Sequence, residues 1–196
     1  MADNLFSPNK FLSEINGRGG PTKSSLYNVQ IYKPGIFVPG GILSPSGQTG
    51  STLINDEFKS LSYLCESAEM PGKSFVSEKV KIYGPGYNVP YLTTYQNISL
   101  TFLCTNVHSE RELFDLWMNS IINPNTNNVR FPKGQNSEYL SRIEITQYDL
   151  KEKEIYKVEL IDAFPASIAP QQLSWSDDGF QRLNVSFLYQ KYELRK

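Results

Sequence analysis

A thiol four residues ahead of an imidazole, Cys104 and His108, is the one spacing in this chain that resembles a nucleophile beside its base. An imidazole titrating near neutrality could take the thiol proton, and the thiolate is the reactive form. His108 is the single histidine, so any acid-base triad has to use it. No orienting acid or oxyanion-holding sequence accompanies the pair. A core-strand cysteine followed by a histidine just outside a helix accounts for both residues without chemistry. Two cysteines and one histidine also fall short of a four-ligand zinc set. Cys65 and Cys104 are too few for a disulfide framework and read as free, buried thiols.

The remaining constellations fail for similar reasons. Glu110, Glu112 and Asp115 fall in the first turns of a predicted helix, where acids favour the positive end of the dipole. Asp177-Asp178-Gly179 resembles half of a calcium loop, without the later ligands or the distal Glu. Gly84-Pro85-Gly86 is not a phosphate cradle, because proline removes an amide and no Lys-Ser/Thr follows at the start of a helix. The sequence therefore predicts no catalytic, cofactor-binding or metal-binding residue, and a protein that is not an enzyme.

Composition points the same way. The chain has 196 residues, 39% hydrophobic and 13% aromatic, enough to bury one sizeable core in a single domain. Lysine and arginine number 19 against 20 acids, so there is no basic excess to hold a phosphate backbone. No run of about 18 apolar residues occurs, which predicts no membrane insertion, and MADNLFSPNKF lacks the layout of a secretory signal. Synthesis in the cytoplasm is expected. The 12 tyrosines and 11 phenylalanines, without basic interleaving, belong to a core and to protein interfaces rather than to base stacking.

The elements that would position these residues are mostly strands. Ser7-Pro8 opens a short helix that Gly17 stops, and Asn16 to Pro21 is a flexible link, so residues 1–24 form an arm. Tyr27, Val29 and Ile31 alternate in a first strand that Pro34 ends. Residues 33–55 carry Gly/Pro-rich loop chemistry, and Leu61, Tyr63 and Cys65 share one face of the strand expected after it. Val76 to Tyr95 reads as a long hairpin around Tyr83-Gly-Pro-Gly-Tyr87. Asn97 to Cys104 is a strand with Ile98, Leu100 and Phe102 on one face. Ser109 and Glu112 have the spacing of a capping box at the start of the one main helix, whose buried face holds Leu113, Phe114, Trp117, Met118, Ile121 and Ile122. Tyr139–Tyr148 and Ile155–Ile161 form two further strands joined at 149–153. In the last block, Pro165 and Pro170 bracket a crossing that cannot pair as a central strand. The Asp-Gly of Trp175–Gly179 then turns the chain into a closing strand of alternating Leu183, Val185, Phe187 and Tyr189. About seven strands and one helix predict a mainly β, α+β fold: an antiparallel sandwich or barrel spanning 25–196, with one packed helix, a long hairpin and the arm.

The order of Phe164-Pro165, a Ser and a Pro, Leu-x-Trp, an acidic turn and an aromatic-rich final strand resembles the C-terminal end of tail tube proteins of contractile-tailed bacteriophages. Cys65-x-x-Ala68-x-Met70-Pro71-Gly72, a strand leaving the core and turning at a proline, resembles the same family, and the likeness runs from about Leu26 to Tyr192. The resemblance implies a structural virion protein of the phage tail, forming hexameric rings that stack into a hollow tube. It further implies a sheath outside, baseplate and tube-terminator proteins at the ends, and DNA passing through the lumen without specific binding. The arm and the 33–55 loop look like additions to a minimal tube subunit, which leaves open a tube-initiating or tube-capping ring. A small-ligand binding module using the Gly/Pro loops is the alternative from another class.

The expected subunit contact is the hairpin. Val80, Ile82, Tyr83, Tyr87, Val89 and Tyr91 put more apolar surface on its arms than a free hairpin normally exposes. Gly84, Pro85 and Gly86 at the tip add backbone latitude between tyrosines.

Overall fold

The computed structural model describes residues 7–37, 51–81, 83–131, 139–176 and 178–195, with residues 51–56 described by their backbone alone. The core is built by one strand that changes sheets. Strands β1 (Tyr27–Ile31), β6 (Ser141–Tyr148), β7 (Glu154–Ile168) and β9 (Lys191–Arg195) pair in that spatial order, all antiparallel. The second half of β7 pairs instead with β8 (Arg182–Leu188), which continues to β5 (Ile98–Leu103) and β2 (Cys65–Ala68). The change falls at Asp162, whose φ of 57° lies in the left-handed region. There the ladder with β6 slips, with Ile143 opposite Leu160 but Ser141 opposite Ala163. An extra residue of this kind bends a strand and increases its twist. The two halves of the sheet thus curl toward one another, and the Tyr27 hydroxyl, at the far edge, donates to the carbonyls of Cys65 and Glu66 on β2.

Alternation then sorts the side chains. Val29, Ile31, Ile143, Ile145, Val158, Leu160, Ile98, Leu100, Phe102, Leu183, Val185 and Phe187 all point inward and are buried. Helix α3 (Ser109–Ile121) lays Phe114 and Trp117 on this layer, with ring centroids 5.3 Å between Phe102 and Phe114 and 6.3 Å between Trp117 and Phe187. The opposite face of the sheet is polar and cross-linked by charge. Glu159 receives Arg142 at 2.9 Å and Arg195, Lys157 reaches Glu144 at 2.8 Å, and Arg182 grips Glu66.

The mainly β, antiparallel expectation is met, as are the strands β1, β5 and β8, the long hairpin and, on the expected face of α3, the burial of Leu113, Phe114 and Trp117; Ile122, expected on that face, follows the end of the helix in extended backbone and is 50% exposed. Four details differ. Residues Ser51–Leu64 form a second packed helix, α2, so Leu61 and Tyr63 are not on a strand, and the strand proper begins at Cys65. Phe58 and Leu61, three apart, are both buried, and the Phe58 ring lies 5.9 Å from Trp117. Residues 38–50 of the predicted 33–55 loop lie outside the described residues, and 51–55 are helical.

The predicted capping box is not formed. His108 occupies the N-cap with φ 56°, so Ser109 already lies within the helix and Glu112 is one position too late to reach back. Glu110 turns inward instead and accepts the Thr105 amide at 3.4 Å. Pro165 is inside β7 rather than in a crossing. It sits opposite Phe187 beside a register slip before Ser167, the kind of position in which a residue without an amide proton is tolerated. Finally, the stretch after Tyr189 is a separate strand, β9, which follows β7 into the other half of the sheet. Helix α1 (Pro8–Gly17) begins where expected, with Pro8 first and Ser7 at the cap, though the Ser7 hydroxyl makes no capping bond. None of its residues is buried. Among the described residues, no helix is long and apolar enough to cross a membrane.

Candidate assembly interface

Strands β3 (Lys73–Val80) and β4 (Tyr87–Tyr95) pair only with each other, as a two-stranded sheet separate from the main one. The pairing is long, from Lys73 opposite Tyr95 to Val80 opposite Tyr87, with a slip at Val76/Ser77 that falls beside Pro90. Successive residues of a strand face opposite ways. Phe75 and Val76 are 63% and 37% exposed, and Tyr91 and Leu92 are 66% and 52% exposed. Both faces of the hairpin therefore meet solvent. A two-stranded hairpin alone in water is marginally stable, so one this long with apolar residues on both faces is short of a partner surface.

The root of the hairpin is firmly held. The Gln96 amide donates to the Gly72 carbonyl, and Tyr95 packs against Tyr189 and Tyr192 with centroids 6.0 and 5.6 Å away. Burial, reinforced by the neighbouring Tyr192 and Tyr95, pushes the Tyr189 hydroxyl up to about 12, so it stays protonated at any physiological pH. At the far end the chain bends through 83–85, where Gly84 has φ 75°, a conformation that costs a residue with a Cβ. Tyr83 and Tyr87 flank this tip, Tyr83 almost fully exposed.

Of the residues expected at a subunit contact, Tyr83, Tyr87, Val89 and Tyr91 are exposed on this projecting element, Gly84 and Pro85 are exposed at its tip, and Val80 and Gly86 are partly covered. Ile82 lies outside the described residues. Phe75, Val76 and Leu92 share the exposed surface and were not singled out from sequence. Their signal is the same apolar content, in the part of the hairpin nearer its root. A second exposed apolar set was also missed: Leu173, Trp175 and Phe180, on the loop between β7 and β8, with Val107 close in sequence to the end of β5.

The residues considered for chemistry are placed otherwise. Cys104 accepts a hydrogen bond from the Gln171 side-chain nitrogen at 3.1 Å. Burial pushes the Cys65 thiol up to about 12, which leaves it unreactive at neutral pH. Asp177 lies outside the described residues, and among those described no three His, Cys, Asp or Glu side chains are grouped to hold a metal. A broad groove of about 590 Å³ runs between β1 and α2, lined by Asn28, Gln30, Tyr32, Lys59 and Tyr63 among others, and its walls bring together no acid-base pair.

A family model described as phage tail tube protein matches residues 22–195. A chain of the sheath-tube complex of the PVC extracellular contractile injection system, in the extended state, has the same fold with a TM-score of 0.58. It is 14% identical, over 97% of this chain and 99% of that one. A chain of the PVC sheath/tube terminator structure gives 0.59 at 15% identity, over 90% and 97%. A chain of the anti-feeding prophage tube-terminating cap gives 0.58 at 13%, over 100% and 97%. At these identities the likeness is one of fold. No curated protein sequence matches the chain. The family's members are structural tube proteins rather than enzymes, and on a match over nearly its whole length the chain belongs to the phage tail tube protein family.

Proposed function

We propose that this protein forms hexameric rings that stack into the hollow inner tube of a contractile tail or injection system, a conduit for what the system delivers. The observation that carries the reading is the separate β3–β4 hairpin, exposed on both faces in a chain of tail tube descent. In this reading Val80, Ile82, Tyr83, Gly84, Pro85, Gly86, Tyr87, Val89 and Tyr91 contact neighbouring subunits. A closed ring also pairs strand edges that would otherwise invite uncontrolled aggregation. Residues 1–24 act as an arm on a neighbour, since α1 leaves Phe11 and Leu12 exposed.

The polar face of the sheet suits a bore. Arg142, Lys157, Arg182 and Arg195 are each bonded to a carboxylate. Cations neutralised in this way displace few counterions from DNA, so a nucleic acid passes without being held. Sheath protein outside, and baseplate and terminator proteins at the ends, are the partners this role requires. The same fold occurs in solved sheath-tube, terminator, cap and baseplate structures. The position of this chain is therefore decided by polymerisation, because a repeating subunit builds tubes and an initiating ring stops at one ring. Negative-stain imaging of the purified protein tests the proposal: six-fold rings or hollow tubes are expected, and monomers alone at high concentration would overturn it.

A further inference from the structure

Strand β5 has a different exposed apolar surface at each end. The hairpin leaves from its start, where the Glu69 amide bonds the Ser99 carbonyl and Tyr95 lies three residues before Ile98. At its finish, about 20 Å away at 3.4 Å per residue, the Cys104 amide bonds the Gln181 carbonyl, and the β7–β8 loop presents Leu173, Trp175 and Phe180. This loop is anchored rather than loose at its base, since Gln171 is bonded by Arg111 at 2.5 Å and donates to the Arg182 carbonyl at 3.0 Å. Beside its anchor lies a surface groove of about 350 Å³ along α3, with Val107 and Leu116 as apolar walls and Glu112 and Asp115 at its rim.

The two ends are complementary in charge as well as in character. Residues 73–95 carry Lys73, Lys79 and Lys81 against Glu78, a net charge of +2. Among the described residues, 169–181 carry Asp178 and no base, and the groove adds its two acids with only Arg111 opposing them, a net charge of −2. Opposite charge on apposed apolar patches fixes which surface meets which.

We infer that the Trp175 loop and the adjoining α3 groove are the receptor for the β3–β4 hairpin of a second copy of this chain, giving a head-to-tail contact. The inference rests on the assembly reading above and adds the surface on which the hairpin sits. A contact between different surfaces of identical subunits repeats without limit, as a stack of rings requires.

Two variants blocked at opposite surfaces test it: Tyr87→Asp, with its hairpin spoiled and its loop intact, and Trp175→Lys, with the reverse. Both positions are exposed, so each variant keeps the wild-type circular dichroism spectrum. Each alone stops short of tubes in sedimentation velocity. Mixed in equal amounts, the good hairpin of one seats on the good loop of the other, and a species of twice the mass of either variant's own forms and grows no further. Normal tubes from Trp175→Lys and from a second loop variant, Phe180→Lys, would overturn the inference and leave the tube reading standing. A mixture that stays at the variants' own masses would overturn it too. Wild-type protein that never assembles would remove both readings.

Discussion

The indole nitrogen of Trp117 donates to the backbone carbonyl of Tyr139 at 2.8 Å, a bond buried between the middle of α3 and the chain entering β6. The same ring packs on Phe58 of α2 and Phe187 of β8, so one side chain joins both packed helices to the sheet. Replacing it separates its two contributions. Trp117→Ala removes ring and bond together and destabilises the fold by about 3–5 kcal/mol. Trp117→Phe keeps most of the apolar contact but orphans the Tyr139 carbonyl, at a cost of about 1–3 kcal/mol. Urea unfolding midpoints measure both, and an unchanged midpoint in the alanine variant would show that the helix does not pack through this ring.

Glu159 gives stability a pH dependence. Its carboxylate is buried on the polar face, and Arg195, then Arg142, hold its pKa below the ordinary carboxylate value. Across the window between the folded and unfolded values, the unfolded chain binds more protons, so stability rises with pH. The contribution is fully present above the ordinary carboxylate pKa and is lost as pH falls through the folded value. Glu159→Gln should therefore cost about 1.5–3 kcal/mol at neutral pH, the range for hydrogen bonds to charged groups. The gap between variant and wild type closes in acid. Parallel stability curves at all pH values would contradict this.

Asp162 marks the bend of β7. Its left-handed φ suits Gly, Asn or Asp and penalises a β-branched side chain. Asp162→Val should lower stability by about 1–2 kcal/mol, whereas Asp162→Gly should change it little. Thermal melts of the two variants decide it, and equal losses in both would point to a role for the carboxylate rather than the backbone.

These residues show what could be read from sequence. Strands β1, β5 and β8 have one buried face each, so strict alternation exposed them, and the apolar stripe of α3 did the same at helical spacing. Helix α2 escaped because Leu61, Tyr63 and Cys65 alternate like a strand while Phe58 and Leu61 sit three apart like a helix. Only the position of the Phe37 and Trp117 rings selects the second pattern. The capping box failed by one residue, since a left-handed histidine took the cap and nothing local distinguishes the two registers. Pro165 misled because a bulge makes room for a proline in a paired strand. The hairpin was visible as apolar arms around a Gly-Pro-Gly tip. Its isolation from the main sheet is a property of the whole topology, and so was not legible from those residues.

The charge pairs of the polar face predict how assembled particles treat DNA. Wild-type tubes should not retain DNA at physiological salt. The double variant Glu144→Gln, Glu159→Gln leaves Arg142, Lys157 and Arg195 unneutralised and should retain it with a steep salt dependence. Tight binding by wild-type tubes in a filter assay would refute the passive conduit.

The central claim is that the hairpin serves the assembly and not the subunit. Tyr87 stands opposite Val80 near the tip and is exposed, so a charge there meets water in the monomer and an apolar partner only on assembly. The most direct measurement is sedimentation velocity of Tyr87→Asp beside wild type, with circular dichroism as the check on folding. The account predicts a variant with the wild-type spectrum that remains soluble and builds no tubes under conditions in which wild type assembles. Tubes of wild-type size from the variant, or a variant that misfolds outright, would contradict it.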